Sequence, residues 1–263
     1  MSLATLPFWP AFFLIVVLPT ALAVGGTIVV RRRTRLKQLT DNNEVAGFKF
    51  AVVGVIYAVL LAFAVFVVWE QLTAAESDVV REAGSAVNLY RLAGGMEPQT
   101  GRNVRTLVTR YLETAIADEW PAMEQGVGSA TATEALNALY AGVLVYQPAD
   151  SRQEAILAGA LHELSEVTEA RRERLLKAAT GVPSVIWFGL ISGGFITIGF
   201  TWFFGTKNLA AQMLMTGGLS LIVCTGLLII LAIDHPFGGA VRVHPDVLAK
   251  VLEDFGHEAP PAR

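Results

Sequence analysis

The chain has 263 residues, 53% of them hydrophobic and 16% charged, with a formal net charge of -3. Soluble domains carry about 45–50% apolar residues, so this balance excludes an ordinary soluble protein and belongs to an integral membrane protein. Cys224 is the single cysteine, which excludes an intramolecular disulfide.

Four stretches are long and apolar enough to cross a bilayer: Phe8 to Val30, Val45 to Trp69, Pro183 to Phe204 and Leu209 to Ile233. The charges of the first stretch follow its apolar run, unlike a secretion signal, so it reads as a retained span. Arg31, Arg32, Arg33, Arg35 and Lys37 then fall in a short connection, which places that loop in the cytoplasm by the positive-inside rule; a lipid or nucleic-acid patch is the weaker alternative. Lys207, between the third and fourth spans, falls on the same side. Both termini and the long central segment are therefore expected outside the cytoplasm, with Arg171, Arg172, Arg174 and Lys177 standing against that assignment.

The second span lies within the run from Asn42 to Gln71 and is the most apolar stretch of the chain. At about 100° per residue, Gly47, Ala51, Gly54, Ala58 and Ala62 share one side, while Lys49, Val53, Ile56, Leu60, Phe63 and Val67 share the other. The small side is expected to pack on protein. The bulky side either faces lipid or, in an oligomer, surrounds a central axis as a hydrophobic constriction, with Asn42 and Glu70 near the two mouths. Tyr57 is polar near mid-span, and Trp69 suits an interfacial anchor.

The segment 70–182 reads as a bundle of four helices. Stripes at Val79, Ala83, Val87 and Tyr90, then at Val104, Leu107, Val108, Tyr111 and Ala115, mark the first two. Thr131 with Glu134 has capping-box spacing for the third, and Asp150 with Gln153 for the fourth. The segment holds 16 acidic and 10 basic residues, which make either a solvated surface or an acidic vestibule that concentrates cations. His162 with Glu163 and Glu166 is too little for a metal site.

In the third span Gly189, Gly193, Thr197 and Thr201 recur every fourth residue, and in the fourth Gln212, Thr216, Ser220 and Cys224 do the same. Such stripes predict an intimate hairpin of these two spans or, alternatively, a hydroxyl-lined path. Asp234 and His235 close the fourth span before Pro236. They read as a helix end or as an ionisable functional pair. No nucleophile, phosphate-loop or metal-protease motif is present, so the sequence gives no reason to expect an enzyme, a cofactor or a metal.

Asn43-Glu44-Val45-Ala46-Gly47, the run Tyr57-Ala58-Val59-Leu60-Leu61-Ala62-Phe63, Trp69-Glu70, Glu82-Ala83, Leu89-Tyr90 and the closing Asp234-His235-Pro236-Phe237 with Gly239 resemble the bacterial bestrophin-like domain family, over nearly the whole chain. The resemblance implies an all-α integral membrane protein: four transmembrane helices with a helical-bundle insertion between the second and third spans. The expected parts are a hairpin over 1–69, the bundle over 70–182, a second hairpin over 183–234 and a tail over 235–263. By analogy to bestrophins it further implies a homo-oligomeric anion channel of the bacterial inner membrane, with the second span lining the pore. Bestrophins hold their large domain in the cytoplasm, opposite to the orientation that Arg31 to Lys37 predict here, and the acidic central segment favours cations. The expected partners are the bilayer, further copies of the chain and permeant inorganic ions. The competing expectation is a membrane sensor or interaction protein with an extracytoplasmic four-helix domain.

Overall fold

A computed structural model describes residues 8–41 and 43–258. Its helices include four that are long and apolar enough to cross a membrane: Trp9–Arg33, Asn43–Ala93, Ser184–Phe203 and Leu209–Ile233. The protein is an all-α integral membrane protein with a helical insertion between the second and third spans.

The described residues form two compact units, one from 8–41, 43–70, 182–234 and 239–241, the other from 71–181, 235–238 and 242–258. In the membrane unit, the first span carries a π-helical turn at Phe13–Val17, where Leu18 N donates to Phe13 O. Pro19 follows at once. Its missing N–H leaves a gap in the i→i−4 ladder, and the wider turn accommodates it.

The hydroxyl stripe of the fourth span packs on the first span, which corrects the expectation of a hairpin zipped by spans three and four. Thr27 Oγ1 donates to Thr216 Oγ1 at 3.4 Å, Thr20 and Ser220 hydroxyls lie 3.3 Å apart, and Cys224 and Leu228 join Ala11 and Val16 in a buried cluster. Thr197 instead donates to its own backbone at Gly193 O, the alternative open to a hydroxyl in a helix. At one end of the unit, the Asn43 amide clamps Gly205, donating to its carbonyl at 2.7 Å and accepting from its N–H at 3.0 Å. The loop after the first span and the loop holding Lys207 therefore lie at the same end.

The second unit takes the C-terminal part of the helix Asn43–Ala93 together with Pro98–Thr114, Ala130–Leu144 and Ser151–Ala179. Asp150 Oδ1 accepts from Gln153 N and Gln153 Oε1 accepts from Ala149 N, so the cap expected there forms as a reciprocal pair. The preceding helix starts elsewhere than expected. Ser129, in extended backbone, accepts from Ala132 N, and Thr131 donates to Asp118. Ser129 wins because an N-cap must lie outside the helix, whereas Thr131 is already helical.

Residues 235–263, expected as a tail, contain a further helix, Asp246–Glu258. Its Phe255 stacks on Tyr90 with ring centroids 3.8 Å apart. Amphipathicity supplies the reason: Leu248, Val251 and Phe255 fall on one face and are buried.

Candidate functional site

On the second span, Tyr57, Ala64 and Val68 are buried, with Asn43, Gly47, Phe50, Gly54 and Leu61 half-buried along the same face. Two glycines of the third span make this packing possible. A Cβ on Gly193 would sit 2.7 Å from the Tyr57 ring, and one on Gly194 would sit 2.9 Å from its hydroxyl. Gly226 of the fourth span likewise receives Leu61, at 2.7 Å from such a Cβ. Tyr57 thus packs within the membrane unit and is 5% exposed.

The expected small-residue face is only partly the packed one. Gly47 and Gly54 adjoin it, but Ala51, Ala58 and Ala62 are exposed. The bulky face is exposed as well, with Ile56 at 65%, Phe63 at 66%, Leu60 at 37% and Val67 at 39%. Lys49 and Glu70 are exposed, and Val53 is half-buried at the edge of the packed arc. Asn42 lies outside the described residues. The helix therefore leaves one broad arc open, running from Ala51, Ala58 and Ala62 through Val55, Phe48, Phe66, Val59 and Val52 to Ile56, Leu60, Phe63 and Val67 below Lys49.

Asp234 is 5% exposed and its Oδ1 accepts from Val182 N at 2.6 Å, next to the Pro183 start of the third span. Its carboxylate joins the end of the fourth span to the beginning of the third. His235 belongs to the second unit. It starts a turn in which Gly238 N donates to His235 O and Val243 N donates to Pro236 O. Phe237 in that turn meets Trp120 edge to face at 5.8 Å, and Trp120 Nε1 donates to Val243 O.

Sequence reasoning missed the polar centre of the second unit. Arg174, Glu82 and Glu119 have fully buried side chains. Arg174 Nε donates to Glu82 Oε2 at 2.7 Å and Nη2 to Glu82 Oε1 at 3.0 Å, and Nη2 also reaches Glu119 Oε2 at 2.9 Å. Arg171 binds the other side of Glu119, with Nη2 to Oε1 at 2.5 Å, and also donates to Thr133 Oγ1. The Tyr111 hydroxyl donates to Glu82 Oε1 at 2.6 Å, and the Arg174 guanidinium lies 4.8 Å from the centroid of Trp120. Two acids and two bases cancel in charge, and nearly every donor has a partner, the condition under which buried charge is tolerated.

A π-helical turn sets Glu119 in place. Trp120 N donates to Ala115 O across Ala115–Glu119, immediately before Pro121, as the first span does before Pro19. Burial disfavours the Glu119 charge, but the Arg171 hydrogen bonds and the Arg174 charge outweigh it and hold its carboxyl below the ordinary value. Burial, then the charge of Glu82, pushes the Tyr111 phenol well above its ordinary range. One helical turn from Glu82, Asp78 accepts from Lys177 Nζ at 2.5 Å. Arg171, Arg174 and Lys177 are therefore internal partners of acids, and Arg172 pairs with Glu169. All four residues that stand against the predicted orientation are thus paired with acids. The usable signal was the matching of acids at 78 and 82 with bases at 174 and 177 on two helices.

Among the described residues no group of three or more His, Cys, Asp or Glu could hold a metal. A model of the bestrophin-like domain matches residues 17–248. Among solved structures, a bacterial bestrophin homolog from Klebsiella pneumoniae superposes with a TM-score of 0.69 at 13% identity, covering 93% of this chain and 99% of that one. A point mutant of the Klebsiella pneumoniae homolog gives 0.70 at 13% identity, with 91% and 97% covered. A further structure described as a membrane protein gives 0.71 at 13%, with 93% and 99% covered. No curated protein matches the chain.

Proposed function

The chain belongs to the bestrophin-like family, and on that premise we propose that it assembles as a homo-oligomeric pore in the bacterial inner membrane, with inorganic ions as permeants and the second span lining the path. The observation that carries this reading is the broad arc of the second span that the described residues leave uncovered. The arc runs from Ala51, Ala58 and Ala62 through Val55, Phe48, Phe66 and Val59 to Ile56, Leu60, Phe63 and Val67, area that further copies of the chain can cover. In a closed ring, the alanine flank lets a neighbouring subunit approach closely and the bulky flank turns to the axis. From Ile56 to Val67 the lining is apolar for about 16 Å at ~1.5 Å per residue, long enough to gate by dewetting. Lys49 and Glu70 place opposite charges at its two ends. The second unit is the extracytoplasmic vestibule in this reading.

Purified protein in planar bilayers under a salt gradient tests this. The reading expects discrete conductance and a reversal potential that reports the permeant ion. Silent bilayers across voltage and pH, together with a monomer in detergent, overturn it.

A further inference from the structure

The membrane unit contains a cavity of about 470 Å³ that span-two packing does not fill. Its walls come from the start of the second span (Asn43, Phe50), the loop after the third (Phe204) and the first turns of the fourth (Gln212, Met215, Leu219). Gly47 borders this open space. A Cβ there would meet only Phe204, at 3.9 Å. The volume and the mostly apolar wall with few polar groups are those of a small-molecule site.

The polar groups of the wall are nearly all engaged. The Asn43 amide is taken up by Gly205, Thr216 Oγ1 accepts from Thr27, Thr201 donates to Ile198 O, and Thr206 exchanges bonds with Asn208. Gln212 differs. It is 3% exposed, its Nε2 donates to Phe204 O at 2.5 Å, and its Oε1 is buried with no hydrogen-bond partner among the described residues. Rotating the amide by half a turn would set two oxygens at that 2.5 Å separation, so the Phe204 carbonyl fixes Oε1 as the open acceptor. A buried acceptor without a donor is costly.

We propose that this cavity binds a membrane-partitioning amphiphile, an apolar body with one hydroxyl or amide N–H that donates to Gln212 Oε1. The chemistry is that of a long-chain alcohol or of a glycerol hydroxyl on a neutral lipid. The apolar part lies against Phe50, Met215 and Leu219. This site is independent of the pore reading, since it lies within a single chain.

The test uses the full chain in nanodiscs of a phosphatidylcholine that has no hydroxyl donor, photolabelled with a diazirine-bearing octanol and mapped by mass spectrometry. Label is expected on Phe50, Met215 or Leu219, and Gly47→Leu or Met215→Trp, each eluting as the parent protein, removes it by filling the space. 1-Octanol competes, whereas octane competes about tenfold more weakly, the worth of one hydrogen bond to a buried acceptor. Competition by diacylglycerol as well as octanol assigns the site to a lipid source, and competition by octanol alone assigns it to a free alcohol. Equal competition by octane and octanol overturns the role of Gln212. Label spread over the lipid-facing helices and unchanged in both filled variants, or a cavity closed to label because a second copy occupies it, overturns the site.

Discussion

Arg174 and Glu82 meet through two hydrogen bonds of 2.7 and 3.0 Å between side chains with no exposed surface, one from the helix that carries the second span and one from the helix that leads to the third. Neither charge has water to return to. Removing one partner leaves the other buried and uncompensated, a loss of about 3–5 kcal/mol. Arg174→Met and Glu82→Leu are each expected to lower the thermal midpoint of the detergent-solubilised protein sharply. The double variant should lose less than the sum, because its apolar side chains leave no orphan charge in that pair. Midpoints are read by circular dichroism or by tryptophan fluorescence.

The same cluster predicts an acid limit and an alkaline limit. Glu119 has a folded-state pKa below its ordinary 4.5, so its contribution is present above that value and is lost as pH falls through the folded pKa. Glu119→Gln should therefore show a lower midpoint at neutral pH and a shallower decline below pH 4.5 than the parent chain. Tyr111 has a folded-state pKa raised above its ordinary 10.0. Its contribution is complete below pH 10.0 and is lost as pH rises beyond it, so Tyr111→Phe should flatten the alkaline decline. A midpoint-against-pH series on the three proteins checks both signs.

Orientation is open to a direct chemical test because the native cysteine, Cys224, is only 4% exposed. Gln147 is exposed in the helical insertion and Lys207 is exposed in the loop between the third and fourth spans. With a membrane-impermeant maleimide on intact cells, Gln147→Cys is expected to label, and Lys207→Cys only after permeabilisation. The reverse pattern would put the insertion in the cytoplasm and would mean that Arg31 to Lys37 do not set the topology.

What could be read from sequence followed from contrast between neighbouring residues. The four spans, the caps at Asp150 and Gln153, and the stripes around Val79 and Val104 stand out because apolar and polar positions alternate with the period of a helix or are plainly segregated along the chain. The packed face of the second span did not stand out. Leu61 and Val68 differ little in polarity from Ile56, Leu60 and Phe63, since protein and lipid are equally apolar surroundings; the packing of Leu61 comes from Gly226, and that of Tyr57 from Gly193 and Gly194, on other helices. The pairing of Arg171 and Arg174 was not legible for a related reason. Their partners Glu119 and Glu82 lie 52 and 92 positions earlier, and a charge whose partner is remote in sequence looks like a free surface charge. The helix Asp246–Glu258 carried a usable signal in Leu248, Val251 and Phe255, which the preceding proline and glycine run concealed.

The central claim is that the arc of Ile56, Leu60, Phe63 and Val67 faces an aqueous axis. Its most direct test is conductance during addition of a charged, water-soluble methanethiosulfonate to Leu60→Cys, beside Ile222→Cys on the exposed side of the fourth span. The account predicts rapid block of the Leu60→Cys current and an unaffected Ile222→Cys current. A Leu60→Cys protein that conducts as before in the presence of the reagent, with the thiol unmodified, would contradict it.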